Sequence, residues 1–301
     1  MRRDVLPVAG IVLGGALWGL IWMPLRWLGE AGLPGAWAGT AIFVFTVALL
    51  VPVAFRNRHR MARNATALLL CGAFTGMAFS LYATSILLTE VVRAILLFYL
   101  TPVWGTALGI AYLGERLTWT RTLAMLSGFA GLVVVLGGPG NLPLPRNTGD
   151  WLALTSGMAW AVGTLNLYRM RQIPAMDQML AFAGGSLAVS LATLGLGGAV
   201  LGISAIGGMP DTGAAVRAAP FAFLTALYVL PMLYLTIWPA TVLSPGRIGI
   251  LLMGDVVVSV ATAAAFAGEP FGWREGIGTV LVIGAGVIET LGRPGPGHAN
   301  A

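Results

Sequence analysis

The sequence predicts an all-α polytopic membrane protein, with ten transmembrane helices arranged as two inverted five-helix repeats. Three observations lead there. Hydrophobic residues make up 57% of the 301-residue chain and charged residues 9%, against roughly 25% charged in a soluble domain. Apolar stretches near the length that crosses a bilayer, about 20 residues, recur from end to end. Landmark residues in the first half then return in the second at fixed shifts.

Ten stretches qualify: 5–27, 36–54, 66–87, 92–113, 118–136, 150–169, 176–200, 219–237, 246–267 and 274–291. An even count puts both termini on one side. The segments on that side hold Arg2, Arg3, Arg56, Arg58, Arg60, Arg63, Arg116, Arg121, Arg169, Arg171, Arg247 and Arg293. The opposite side holds Arg26, Arg93, Arg146, Arg217 and Arg274, so the 17 basic residues divide twelve to five. Cytoplasmic loops carry such an excess, which assigns both termini to the cytoplasm. The net charge of +6 is therefore a topology signal, and a nucleic-acid partner is not expected. The single Cys71 lies within the third stretch and excludes an intramolecular disulfide or a cysteine-cluster metal site.

The first stretch carries Gly10, Gly14, Gly15 and Gly19, spacings that let helices approach closely, with Trp18 and Trp22 one turn apart. Its length and tryptophan content exclude a cleaved signal peptide, and Pro24 loosens its outer end. The second is plain lipid-compatible sequence anchored by Arg56–Arg63, where His59 is a solvated loop residue. The third is interrupted by Gly72, Gly76, Ser80, Tyr82 and Ser85. In the fourth, RAILLFYLTPVWGTALGIAYLGERLTW (Arg93–Trp119), the Thr101-Pro102 step removes a backbone donor. Such a break is tolerated in lipid only where protein or a water-filled cavity satisfies the freed groups, so Tyr99, Thr101 and Trp104 around it form one wall of a path. The fifth follows Glu115 and Thr118, which cap exposed backbone N–H groups.

Residues 138–149, rich in Gly and Pro, read as a linker between a first repeat at 1–137 and a second at 150–291. The sixth stretch opens at Asp150 and carries Ser156, Trp160, Thr164 and Asn166. The seventh is Gly- and Leu-rich, and 201–218 is the longest outer loop. The eighth contains Tyr228, Pro231 and Tyr234, and the ninth holds Asp255 at mid-membrane depth. Residues 292–301 read as a disordered cytoplasmic tail.

The repeat is specific. Gly114-Glu115 with Trp119 returns as Gly268-Glu269 with Trp273, a shift of 154 that also relates Arg93 to Arg247. Trp18 and Trp160, each with a glycine three residues earlier (Gly15, Gly157), are related by 142. Five spans per half turns the second half upside down, an arrangement found in secondary transporters with the site near the midplane.

Five-plus-five spans, a proline within the fourth and a closing LGE-x-x-x-W resemble the drug/metabolite transporter (DMT) superfamily, EamA type, over residues 5–291. Within it, Phe98–Trp104 (FYLTPVW) and the Trp160 span are most similar to the bacterial aromatic amino-acid exporters of the YddG type. One departure stands out: where the family often repeats Pro102 in the ninth span, this chain has Val256, and Asp255 stands where Thr101 maps.

The resemblance implies a multi-pass transporter of the bacterial inner membrane, exporting aromatic or hydrophobic amino acids by alternating access and functional as a monomer. Substrate contacts are then expected from Tyr82, Tyr99, Thr101, Trp160, Asn166, Tyr228 and Tyr234, with hinges at Pro102 and Pro231. Asp255 reads either as a proton-coupling group or as a hydrogen-bonded acid that holds the ninth span to its neighbours. No nucleophile elbow, zinc motif or phosphate loop is present, so neither enzyme activity, cofactor nor metal is expected. A nucleotide-sugar or phosphate-ester exchanger would favour basic residues in the cavity, and none lies at mid-span. A non-transporting scaffold is disfavoured because Pro102, Pro231 and Asp255 each carry a cost in lipid.

Overall fold

The computed structural model describes residues 5–33, 36–89, 91–136, 144–200, 208–266 and 271–291. Among them the chain is helical throughout, with short connections: α1 (Val5–Leu20), α2 (Trp22–Glu30), α3 (Ala36–Arg63), α4 (Ala65–Leu88), α5 (Val91–Phe98), α6 (Thr101–Leu113) and α7 (Trp119–Leu136), then α8 (Thr148–Arg169), α9 (Ala175–Val200), α10 (Thr212–Ala240), α11 (Pro245–Leu252), α12 (Gly254–Phe266) and α13 (Trp273–Leu291). Seven helical stretches are long and apolar enough to cross a membrane: α1 with α2, α3, α4, α5 with α6, α9, α10 and α11 with α12. Part of α7, Trp119–Val134, is apolar but shorter. This is a multi-pass membrane protein.

The interruptions differ from those the sequence suggests. The fourth span breaks at Tyr99-Leu100, before Pro102, which sits in the first turn of α6. There its missing N–H has no intrahelical acceptor to lose, so the proline starts a helix and breaks none. The ninth span breaks without any proline, at Met253, whose N–H turns back to Ile250 at 3.2 Å. The resulting pieces are 8 and 13 residues long in both spans, and α11 starts 154 residues after α5. Pro231 is no break either, because α10 runs on through Pro220, Pro231 and Pro239. Helix α10 also begins earlier than expected, capped by Asp211, so 212–218 is helical and not loop. Thr118 caps the next helix, accepting from the Arg121 N–H at 3.3 Å, whereas Glu115 pairs with the Arg121 side chain. Trp119 opens α7 as Trp273 opens α13. Gly268-Glu269, residues 138–143 of the expected linker, 201–207 and the expected tail at 292–301 lie outside the described residues.

The packing is set by small residues. A Cβ on Gly185 of α9 would lie 1.9 Å from the Gly72 carbonyl oxygen of α4, so these two helices touch backbone to backbone. Helix α4 also packs along α8, α1 along α10, and α7 along α13. Around the breaks the contacts pair up between halves. A Cβ on Gly157 would meet the Phe98 carbonyl and the Thr101 hydroxyl, while one on Gly15 would meet Leu252 and the Asp255 backbone N. Phe98 and Thr101 each precede Leu252 and Asp255 by 154 residues.

Candidate functional site

Where α5, α11 and their continuations part, a cavity of about 90 Å³ opens among Trp18 of α1, Thr75, Ala78, Phe79 and Tyr82 of α4, Phe98 and Tyr99 at the first break, Trp160 of α8, Phe182 of α9, and Leu252 and Asp255 at the second. Each half of the chain contributes walls. Seven of these side chains are aromatic, and they touch in three groups. Tyr82 lies 4.8 Å from Phe98, which meets Tyr99 edge-on at 5.2 Å. Trp160 meets Phe182 at 6.3 Å and 90°, and Trp18 meets Phe79 at 6.1 Å. Edge-to-face contacts of this kind are favourable for the ring quadrupoles and fix ring orientation.

The polar atoms are few. The Tyr99 hydroxyl donates to the Asp255 carboxylate across the two breaks. Asp255 lies in the first turn of α12, where the partial positive charge of the helix N-terminus favours an anion. The Trp18 indole N–H donates to Thr236 Oγ1 at 3.1 Å. That of Trp160 is buried and has no partner among the described residues. Among the described residues, no basic side chain lines the cavity.

Of the residues expected at a site, Tyr82, Tyr99, Trp160 and Asp255 meet here. Thr101 is adjacent but turned into the backbone, donating to the Phe98 carbonyl at 2.6 Å. Tyr228 donates to the Leu17 carbonyl and lines a separate outer hollow with Trp27 and Phe221. Tyr234 is 40% exposed and stacks on Trp238. Neither Asn166 nor Trp104 lines the cavity. Pro102 flanks it from the start of α6, where its Cα would be 3.0 Å from a Cβ on Gly249. Sequence reasoning left out Phe79, Phe98 and Phe182, whose apolar rings in apolar helices look like lipid-facing or core residues. It noted Trp18 without placing it at a site, although its match to Trp160 at a shift of 142 was the available signal.

Buried ion pairs close the bundle above and below. Asp150, at the start of α8, is fully buried. It accepts from Arg93 Nη2 at 2.5 Å, from Thr89 Oγ1 at 2.6 Å and from the Arg146 N–H at 2.8 Å. At the other end Arg121 holds Glu115 at 2.8 Å and Glu289 at 3.5 Å, and Arg247 reaches Glu289 at 3.6 Å. Arg60 grips Asp177 with two nitrogens, at 2.6 and 2.9 Å, tying α3 to α9. The arginines at 93 and 247, matched in sequence, are thus each anchored by a carboxylate on another helix.

Comparison with known proteins places part of this. No curated protein matches the chain. A solved structure described only as the crystal structure of a protein shares the fold, with a TM-score of 0.69 over 97% of each chain at 19% identity. Residues 6–137, the first half, match the EamA-like transporter family.

Proposed function

We propose that this protein is a secondary transporter that carries small organic metabolites across a membrane by alternating access, with the aromatic cavity as its substrate site. The observation that supports this most is where the cavity lies: at two helix breaks, one in each half, walled by residues of both. Broken helices at the interface of two repeats leave unpaired backbone groups and movable joints at the membrane midplane, which is how secondary transporters build a site that faces either side. The 154-residue relation between the breaks supports reading the halves as inverted repeats of five spans each, ten in all. The match of 6–137 to a transporter family supports the same class and gives no ground for enzyme activity.

Aromatic and hydrophobic amino acids are the first substrates to test, since large rings lining a site stack on apolar or aromatic bodies. At about 90 Å³ the cavity has room for roughly three waters, so entry of a larger substrate requires the walls to part. Nucleotide-sugar or phosphate-ester exchange finds no support in a cavity without a basic residue. The arginine distribution together with the family likeness supports a bacterial inner-membrane location, with export from a cytoplasmic face that holds both termini.

The test is counterflow of labelled phenylalanine, leucine, nucleotides and cationic drugs in proteoliposomes. Flux above that of empty vesicles, reduced severalfold by Tyr99→Ala and Trp160→Ala, is expected. If no compound crosses faster than in empty vesicles, the transport reading is wrong. If both variants carry every substrate at the unaltered rate, the cavity is not the site.

A further inference from the structure

The cavity's charge pattern narrows the chemistry of what it holds. Asp255 is its one ionisable acid, and it stands among seven aromatic rings with no arginine on the lining. The chain contains no lysine, and its two histidines, at 59 and 298, are far away in sequence from every cavity wall. The arginines on the two broken spans are engaged with other carboxylates: Arg247 with Glu289 and Arg93 with Asp150. Among the described residues the carboxylate is held only by neutral groups, the Tyr99 hydroxyl and the start of α12.

A carboxyl group held this way in an apolar enclosure lacks a counter-charge, and its ionised form is costly to bury unpaired. A cation arriving at Asp255 removes that cost. The rings of Trp18, Trp160, Phe79 and Tyr82 suit the same visitor, because the face of an aromatic ring attracts an ammonium group and that of tryptophan does so best. A carboxylate on the visitor, in contrast, meets only neutral groups, the Trp160 indole N–H and the hydroxyls of Thr75, Tyr82 and Tyr99, beside a second carboxyl group that offers it no counter-charge.

We infer that the cavity is a site for organic ammonium ions, in which Asp255 pairs with the cationic head and the aromatic walls enclose it, so that aromatic amines are preferred to amino acids and acids are excluded. This deepens the transport reading and rests on it only for movement across the membrane; binding is independent of it. Tyr99 positions the carboxylate through its hydroxyl, and α12 fixes the height of the charge between the two breaks.

The experiment is calorimetric titration of the purified full-length protein in detergent with phenethylamine, phenylalanine and 3-phenylpropionate, in parallel with counterflow of the same compounds in proteoliposomes. Phenethylamine binds at least about tenfold more tightly than phenylalanine, the scale of a hydrogen bond to a charged group, and 3-phenylpropionate gives no heat. Asp255→Asn, confirmed monodisperse by size exclusion, abolishes the difference between amine and amino acid. Tyr99→Phe keeps the carboxylate and the ring and retains the order of the three ligands. Equal or tighter binding of phenylalanine overturns the inference, as does an undiminished amine preference in Asp255→Asn or a failure of all three to bind. Flux of phenylalanine without amine preference removes this inference and leaves transport standing. Amine binding to Asp255 with no flux of any compound removes transport and leaves the cation site.

Discussion

Breaking the buried pair between Arg93 and Asp150 is the sharpest test of how the two halves are held. Asp150 has no exposed surface and Arg93 has 6%. Replacing Asp150 by leucine strands the guanidinium against the Leu144 carbonyl, which it reaches at 2.8 Å, and leaves Thr89 without its acceptor. Removing one partner of a buried pair costs about 3–5 kcal/mol, and loss of the Thr89 and Arg146 bonds acts in the same direction. Replacing both partners by leucine removes the stranded charge as well, and such apolar substitutions of buried pairs are often close to neutral. The order is therefore Asp150→Leu least stable, Arg93→Leu next, and the double variant above both. At about 3 °C per kcal/mol for a chain of this size class, Asp150→Leu lowers the melting temperature by about 10 °C, and the double variant recovers more than half of that. The assay is the loss of the monodisperse size-exclusion peak after heating in detergent. A double variant no more stable than Asp150→Leu would show that the destabilisation does not come from the orphaned arginine.

Gly185→Val drives a side chain into the Gly72 carbonyl and abolishes monodisperse expression, whereas Gly184→Val, whose Cβ meets nothing within 4 Å, is tolerated; equal yields of the two would refute the crossing. Glu289→Gln removes the charge that faces both Arg121 and Arg247 and lowers thermal stability more than Glu115→Gln, which leaves Arg121 its second carboxylate; the two melting temperatures in reverse order would contradict the network. In a Cys71→Ala background, cysteines at Arg58 and at Met209, which is 88% exposed, react with an impermeant maleimide from opposite sides of a sealed vesicle, and labelling from the same side would rule out the inverted arrangement.

The multi-pass membrane class was legible because lipid imposes a composition that composition alone reveals. The matched positions at Arg93 and Arg247, and at Trp18 and Trp160, were visible in the sequence as fixed shifts of 154 and 142. The breaks were less so. Pro102 drew attention to itself, yet a proline is as welcome in the first turn of a helix as it is disruptive inside one, and a sequence does not say which it occupies. Met253 carries no signal of its own; only its place 154 residues after Tyr99, with Gly254 following, points to it. Asp150 was read as the start of a span, with its arginine 57 residues away hidden, because nothing local reports a partner across the bundle. Tyr228 and Tyr234 lie away from this cavity, since both are amphipathic rings on one long helix, and which face meets the cavity depends on how α10 leans against α1.

The unequal lengths of the helix pieces have an electrical consequence. Eight residues of helix rise about 12 Å and thirteen about 20 Å, together close to the thickness of a bilayer's hydrocarbon core. Asp255 follows the 8-residue piece α11, so its charge stands about two-fifths of the way in from the face where α11 starts. Moving one elementary charge through the whole membrane field is worth about 2.3 kcal/mol per 100 mV, and reaching Asp255 from that face is therefore worth about 1 kcal/mol of it. From the other face the share is larger. A charged occupant at this depth would divide the membrane voltage unevenly between its two legs, and a resting voltage would then bias which side of the membrane fills the site.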